Sequence, residues 1–152
     1  MPIRFYSVKD KYGEFSNFSL HPFELDGLRW LTSEAYFQAQ KFDDEAYREQ
    51  IRAATSPMTA AKLGRSRSVP LRPDWEQVKD DAMRRALLAK FSTHPALREL
   101  LLSTGDEPLI EATTDDYYWG VGTRGDGLNR LGELLVELRA QFRTEAEDTE
   151  TE

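Results

Sequence analysis

A mainly α-helical single domain with a small β component (α+β) is the fold class this sequence predicts. Three observations predict it. The chain has 152 residues, a length that suits one domain. From Thr32 onward, apolar residues recur at helical spacing between recognisable caps. Before Thr32 the chain is turn-rich and carries a hairpin signal. The expected architecture is a compact, bundle-like helical core with a hairpin or small sheet. Residues 1–143 form the expected domain, followed by an acidic tail over 144–152.

The elements are expected in this order. Arg4 to Val8 reads as a short strand, and Lys9 to Gly13 as a turn. Phe23 to Trp30 alternates apolar and polar residues around Asp26-Gly27. Asp-Gly tolerates the positive φ angles of a two-residue turn, so this is a hairpin. Thr32 or Ser33 caps a helix through about Phe42. A second helix covers Asp44 to Ala54. Ser56-Pro57 opens a third, with Gly64 as its C-terminal cap. Asp74 caps a long helix to Phe91, with Val78, Met83, Ala86, Leu87 and Phe91 at a period near 3.6. His94-Pro95 opens another helix through Leu102. Leu109 to Ala112 reads as a strand. Gly127 or Leu128 starts a last helix with Leu131, Leu134, Leu135 and Leu138 on one face.

Composition narrows the chemistry. Hydrophobic residues make up 39% and aromatics 11%, enough for a core. There is no cysteine, which excludes disulfides, thiolate metal sites and cysteine nucleophiles. The 2 histidines make a multi-histidine metal site improbable. His21 and His94 each precede a proline and read as loop or capping residues. The net charge is −7. The segment 144–152, TEAEDTETE, holds five acids and no base. It has too little apolar surface to offset its ordering entropy and reads as disordered. Those five acids leave a net charge of only −2 on residues 1–143, so charge does not exclude a phosphate-bearing partner. No segment is apolar enough to span a membrane, and Met-Pro-Ile-Arg-Phe-Tyr is not a signal peptide. The expectation is a cytoplasmic protein.

Three regions carry more function than a core requires. In the first, Glu34 falls in the first turn of a helix, where the macrodipole favours an ionised carboxylate. Glu34, Phe37 or Gln38, and Lys41 share one face of that helix. Glu34 also fits as an ordinary first-turn acid, with Tyr36 and Phe37 in the core. In the second, Arg65, Arg67 and Arg72 lie in a stretch leading to Trp75 at a helix start. Guanidinium forks suit phosphate oxygens, and a tryptophan offers a face to a base. The same stretch also fits a solvated basic loop with Trp75 as a core anchor. In the third, Glu111 to Gly122 sets Asp115 and Asp116 beside Tyr117, Tyr118, Trp119 and glycines. Aromatics to stack, acids to bind hydroxyls and glycines for close backbone approach suit a nucleoside pocket. The stretch equally fits an aromatic-rich structural turn.

Together, several ordered motifs resemble those of the NADAR family, whose best-known branch is the YbiA-like N-glycosidases. They are Tyr12 to Phe18, Ser33 to Phe42, Arg72-Pro73-Asp74-Trp75 with Val78-Lys79 and Met83, Lys90-Phe91, Glu111-Ala112, Asp116 to Gly122, and Gly127 to Gly132. They span about Phe5 to Arg139. The resemblance implies a YbiA-like fold and cleavage of a ribosyl N-glycosidic bond. The implied substrates are phosphorylated ribosylaminopyrimidine intermediates of riboflavin biosynthesis or, in another branch, ADP-ribosylated guanine in nucleic acid. By the same resemblance Glu34 matches the catalytic glutamate and Trp75 a pocket tryptophan. Asp116 matches the acid ahead of the Trp-Gly pair, and Trp119 that pair's tryptophan. Asn17 and Lys41 match motif positions with supporting roles. This chain departs from the pattern at Ala35, at Thr113-Thr114 and at Asp115, which leaves open whether Asp115 or Asp116 faces a substrate.

The chemistry fits these residue types. Breaking a glycosidic bond builds positive charge on the ribose, and paired carboxyl groups with divided roles serve such reactions. Glu34 is expected to stabilise that charge, activate water, or both, and Asp116 to orient hydroxyls or the water. Trp75 and Trp119 would hold the base; stacking contributes roughly 1–3 kcal/mol per base. The charge of Arg65, Arg67 and Lys41 points to a phosphate. No metal or redox cofactor is required, and the expected partner is a small phosphorylated ribosyl substrate. A non-catalytic module binding ADP-ribose or NAD is the alternative from another class.

Overall fold

The structure is a computed structural model that describes residues 1–151, with side chains described through residue 148. It is mainly α-helical with two small two-stranded sheets, as the sequence predicts. The chain divides into two units: a central one, Asn17–Thr93, and a terminal one, which joins Met1–Ser16 to the chain from His94 onward.

The central unit begins with a hairpin, β2 (Phe23–Leu25) and β3 (Leu28–Trp30), paired antiparallel with Phe23 opposite Trp30. Asp26 and Gly27 both take positive φ, 56° and 77°, the geometry that closes a two-residue turn. Asp26 also accepts a hydrogen bond from the Tyr36 hydroxyl at 2.8 Å and an ion pair from Arg85. Four helices follow: α1 (Ser33–Ala39), α2 (Glu45–Arg52), α3 (Pro57–Arg65) and α4 (Trp75–Thr93). Their caps are local chemistry. The side chains of Thr32, Asp44 and Ser56 accept from the backbone N–H groups of Ala35, Tyr47 and Thr59. Helix α1 packs against α2, α3 and α4. Its residues Ala35, Tyr36 and Ala39 join Phe23, Trp30, Phe42, Tyr47, Ile51, Ala60 and Ala86 in one apolar cluster.

Two boundaries differ from expectation here. Helix α1 ends at Ala39, because Lys41 and Phe42 bond three residues back, to the carbonyls of Gln38 and Ala39. Gly64 is not a C-terminal cap; α3 continues through it to Arg65. The glycine answers a packing demand described below.

The terminal unit pairs β1 (Ile3–Phe5) in parallel with β4 (Leu109–Glu111), with Ile3 opposite Leu109. Strand β1 is shorter than expected because the chain turns at once: Asp10 N–H bonds the Ser7 carbonyl, and the Asp10 carboxylate accepts from Ser7 N–H. A 3-10 turn over Gly13–Phe15 sets Phe15 edge-on to Phe5. Helix α5 (Pro95–Ser103), with His94 as N-cap residue, packs on α6 (Arg130–Thr151), which also covers β4.

Helix α6 departs from expectation at both ends. It starts at Arg130 rather than Gly127 or Leu128, because Asn129 takes a φ of 54° and the N–H groups of Arg130 and Leu131, which an earlier helix would need, bond the carbonyls of Tyr118 and Trp119. At its other end it runs on to Thr151, where a disordered tail is expected. Glu and Ala are good helix formers. Arg98 of α5 pairs with Glu145, and Gln141 bonds Glu145 one turn on. Glu152, the last residue of the expected tail, lies outside the described residues. Among the described residues no helix is long and apolar enough to cross a membrane.

Candidate active site

The central unit gathers six of the eight predicted site residues: Asn17, Glu34, Lys41, Arg65, Arg67 and Trp75. Asp116 and Trp119 belong to the terminal unit.

Glu34 sits in the first turn of α1 and is 9% exposed. Its surroundings fix its backbone and its carboxylate. Its backbone N–H donates to the Asn17 carbonyl at 3.1 Å. The Ser33 hydroxyl beside it donates to Asn17 Oδ1 at 2.7 Å. Its own Oε1 accepts from Gln38 Nε2 at 2.7 Å. Asn17 Nδ2 in turn donates to Met83 Sδ of α4 at 3.4 Å. Both ends of the Asn17 carboxamide are therefore engaged by the protein, and Asn17 braces the start of α1 against α4. Asn17, a motif position with an expected supporting role, serves the scaffold around Glu34 through these bonds.

Lys41, half-buried just beyond α1, has its ammonium pushed down from the ordinary lysine range. Burial is the main cause. The Glu34 carboxylate opposes it, while Arg67 and Arg65 reinforce it. Lys41 thus feels one buried carboxylate, Glu34, and two guanidinium groups, Arg67 and Arg65. The Lys41 ammonium lies 5.8 Å from the Phe37 ring centroid. Arg65 is exposed. Arg67 Nη1 donates to the carbonyls of Gly64 and Ser66 at 2.8 and 2.9 Å, satisfying the end of α3. Arg72 is tied to Asp74, at 2.6 and 3.1 Å, and is not part of this cluster.

Trp75 opens α4, is 7% exposed, and packs on Phe37 with ring centroids 5.2 Å apart. The two rings are tilted at 60° to each other, and the indole is buried.

In the terminal unit the loop after β4 is built on its own backbone. Asp116 Oδ1 accepts from the N–H groups of Tyr118 and Trp119, at 3.0 and 2.8 Å. Thr113 Oγ1 donates to the Asp116 carbonyl at 2.6 Å and accepts from Gly122 N–H at 3.1 Å. Asp115 is exposed and makes no such bonds. The glycines serve the loop itself. A Cβ at Gly120 would lie 2.2 Å from Thr113 Oγ1, and one at Gly122, where φ is 70°, would lie 2.3 Å from the Tyr117 ring. Space expected for a ligand's approach is filled by protein. Trp119 packs edge-on to Tyr118 at 4.8 Å and is half-buried.

Two residues escaped the sequence reading. Gln38, noted only for its place on the Glu34 face, holds the Glu34 carboxylate. Asn129, with φ 54°, sews β4 to the start of α6. Its Oδ1 accepts from Glu111 N–H at 3.0 Å and its Nδ2 donates to the Leu109 carbonyl at 2.8 Å. An asparagine, a residue type enriched in the left-handed region, directly before a helical leucine pattern was the available signal. Among the described residues, no group of three or more His, Cys, Asp or Glu side chains is placed to hold a metal ion.

Comparison with known proteins gives the family and the fold. The NADAR domain matches residues 4–143. N-glycosidase YbiA of Escherichia coli (strain K12) is 58% identical over 143 residues, covering 94% of this chain and 89% of that protein. N-glycosidase Npun_R5314 of Nostoc punctiforme is 47% identical, covering 94% of each. The chloroplastic riboflavin biosynthesis protein PYRR of Zea mays is 44% identical, over 92% of this chain and 25% of that protein. The NMR structure of E. coli YbiA superposes with a TM-score of 0.89, covering 95% of this chain and 86% of that one. With the family's domain matched from strand β1 into helix α6 and this degree of identity to enzymes of one activity, the chain belongs to the NADAR family and is an N-glycosidase.

Proposed function

We propose that the bond cleaved is the one between ribose C1′ and nitrogen in a phosphorylated ribosylaminopyrimidine, an intermediate of riboflavin biosynthesis, releasing ribose 5-phosphate. The observation that carries this reading is the buried Glu34 carboxylate facing Lys41, with Arg65 and Arg67 reinforcing the positive charge. A substrate with a cationic transition state at one end and a phosphate at the other asks for this polarity. The similarity to a protein named for riboflavin biosynthesis supports the choice of base.

In the proposed reaction the C1′–N bond breaks with its electron pair on nitrogen. Glu34 stabilises the positive charge that builds on the ribose ring and takes a proton from the attacking water. The hydroxyl joins C1′, and the proton is passed to the departing amine. A positioned base contributes typically 10²–10⁴-fold. Lys41, Arg65 and Arg67 hold the phosphate, and the chemistry asks no metal of the protein. Asp116 and Trp119 remain candidates on their own account. The Asp116 carboxylate keeps Oδ2 without a hydrogen bond among the described residues, while Oδ1 shapes the loop.

A panel assay for released sugar tests this reading. The substrates are the phosphorylated ribosylaminopyrimidine, an oligonucleotide carrying ADP-ribosylated guanine, and free ADP-ribose. Release of ribose 5-phosphate from the first is the expected result. Release of ADP-ribose from the oligonucleotide alone moves the function to the nucleic-acid reading. Tight ADP-ribose binding with no cleavage of any substrate overturns hydrolysis.

A further inference from the structure

Gln38 lies one turn after Glu34 on α1 and is 7% exposed. Its Nε2 donates to Glu34 Oε1 at 2.7 Å. Its own Oε1 is buried and accepts no hydrogen bond among the described residues. A buried acceptor left unpaired is costly, so it asks for a reason.

Gly64 of α3 supplies the setting. A Cβ there would lie 1.8 Å from Gln38 Oε1 and 2.6 Å from its Cδ. The three atoms nearest to such a Cβ all belong to Gln38, so the glycine makes the space that this side chain occupies. It offers that end of the amide room and no partner, whether the end is oxygen or nitrogen. The amide's orientation is therefore set at its other end, by Glu34 alone. An ionised carboxylate takes a donor; a protonated one presents an O–H and takes an acceptor.

We propose that Gln38 is the positioning residue of Glu34, and that it turns its carboxamide over as Glu34 gains and loses its proton, with Gly64 leaving room for either end. The inference rests on the reading that Glu34 does acid–base work. A base that must accept a proton and later give it up would then keep one fixed geometry in both states. Gln38 touches no reacting atom and acts only through Glu34.

Charged groups also lie on the elements packed against α1, among them the buried Lys90 and the half-buried Lys79 of α4, the latter paired with Glu76. Lys41 acts on Glu34 from the same segment, and Arg65 and Arg67 act on Lys41 from α3 and the loop after it. Arg48 of α2 is bonded to Gln40, and Arg85 of α4 to Asp26. Arg29 of β3 is exposed.

The test is a titration of the Glu34 carboxyl carbon by NMR in the full chain, assigned with Glu34→Gln and followed together with the Gln38 side-chain amide. In the wild type, the Gln38 amide signals should shift with the same midpoint as the Glu34 carboxyl. In Gln38→Leu both forms of Glu34 lose a partner, but the charge-assisted bond to the ionised form is roughly twice as strong as the neutral one, so the Glu34 midpoint should move to higher pH. The acidic limb of kcat should move the same way, with kcat down about 10- to 100-fold and KM changed far less. Gly64→Ala, which pushes the amide aside without removing it, should move the midpoint in the same direction and carries the test if Gln38→Leu does not fold. A Glu34 midpoint that stays put in a folded variant, or Gln38 amide signals that ignore the Glu34 titration, overturns the proposal. The titration needs no substrate, so it decides the role of Gln38 separately. A wild-type protein that releases no sugar overturns the functional reading instead.

Discussion

Asp116 and Asp115 stand side by side in the sequence, yet they do different work. Asp116 receives two backbone N–H groups through one oxygen, whereas Asp115 is exposed. Activity should fall more in Asp116→Asn than in Asp115→Asn, measured as kcat/KM on the same substrate. Asp116→Ala, which removes the acceptor, should also cost about 1–3 kcal/mol of stability in urea denaturation. Lys41 shows the opposite economy. Burial holds its ammonium below the ordinary lysine value of 10.5, so the folded protein gives up that proton at lower pH than the unfolded chain. Charged Lys41 therefore burdens folding at neutral pH, and the burden fades as pH rises toward 10.5. Lys41→Met should raise Tm at pH 7, by an amount that shrinks at alkaline pH. The same variant should raise KM for a phosphorylated substrate. The place of Glu34 in the first turn of α1 was legible in the sequence from the cap and the helical pattern. The Gln38 bond was not, because i, i+4 spacing says which residues are neighbours but not which atoms meet.

At the scale of elements, local signals were legible and distant ones were not. Asp26-Gly27 marked the hairpin, and Thr32, Asp44 and Ser56 marked three helix starts, each through a bond within three residues. The parallel pairing of β1 with β4 joins segments a hundred residues apart, and no local pattern announces it. The helical pattern reaches back beyond the true start of α6, because Asn129 takes a positive φ and loop carbonyls claim the N–H groups of Arg130 and Leu131. Asn129 finishes that junction by tying β4 to α6. Asn129→Ala should therefore cost about 2–3 kcal/mol, read as a lower urea midpoint with unchanged slope. The helical run of α6 beyond residue 143 rests chiefly on propensity and the Arg98–Glu145 ion pair. Exposed pairs contribute about 0–1 kcal/mol. A chain ending at Arg143 should keep its activity and lose at most a few degrees of Tm, on the order of that energy.

Across the whole molecule, a net charge of −7 conceals a cationic cluster beside one buried acid. Most of that negative charge belongs to the last nine residues, and the cations come together only when α1 packs on α3. The composition thus pointed toward carboxylate chemistry, through the absence of cysteine and the scarcity of histidine, without showing where it resides. The central claim is that Glu34 is the group on which cleavage of the glycosidic bond depends. The most direct measurement is release of ribose 5-phosphate from the phosphorylated ribosylaminopyrimidine by wild type and Glu34→Gln, with Tm recorded for both. The account predicts release by the wild type and none above background by a Glu34→Gln protein that still melts as a folded chain; wild-type turnover by Glu34→Gln would contradict it.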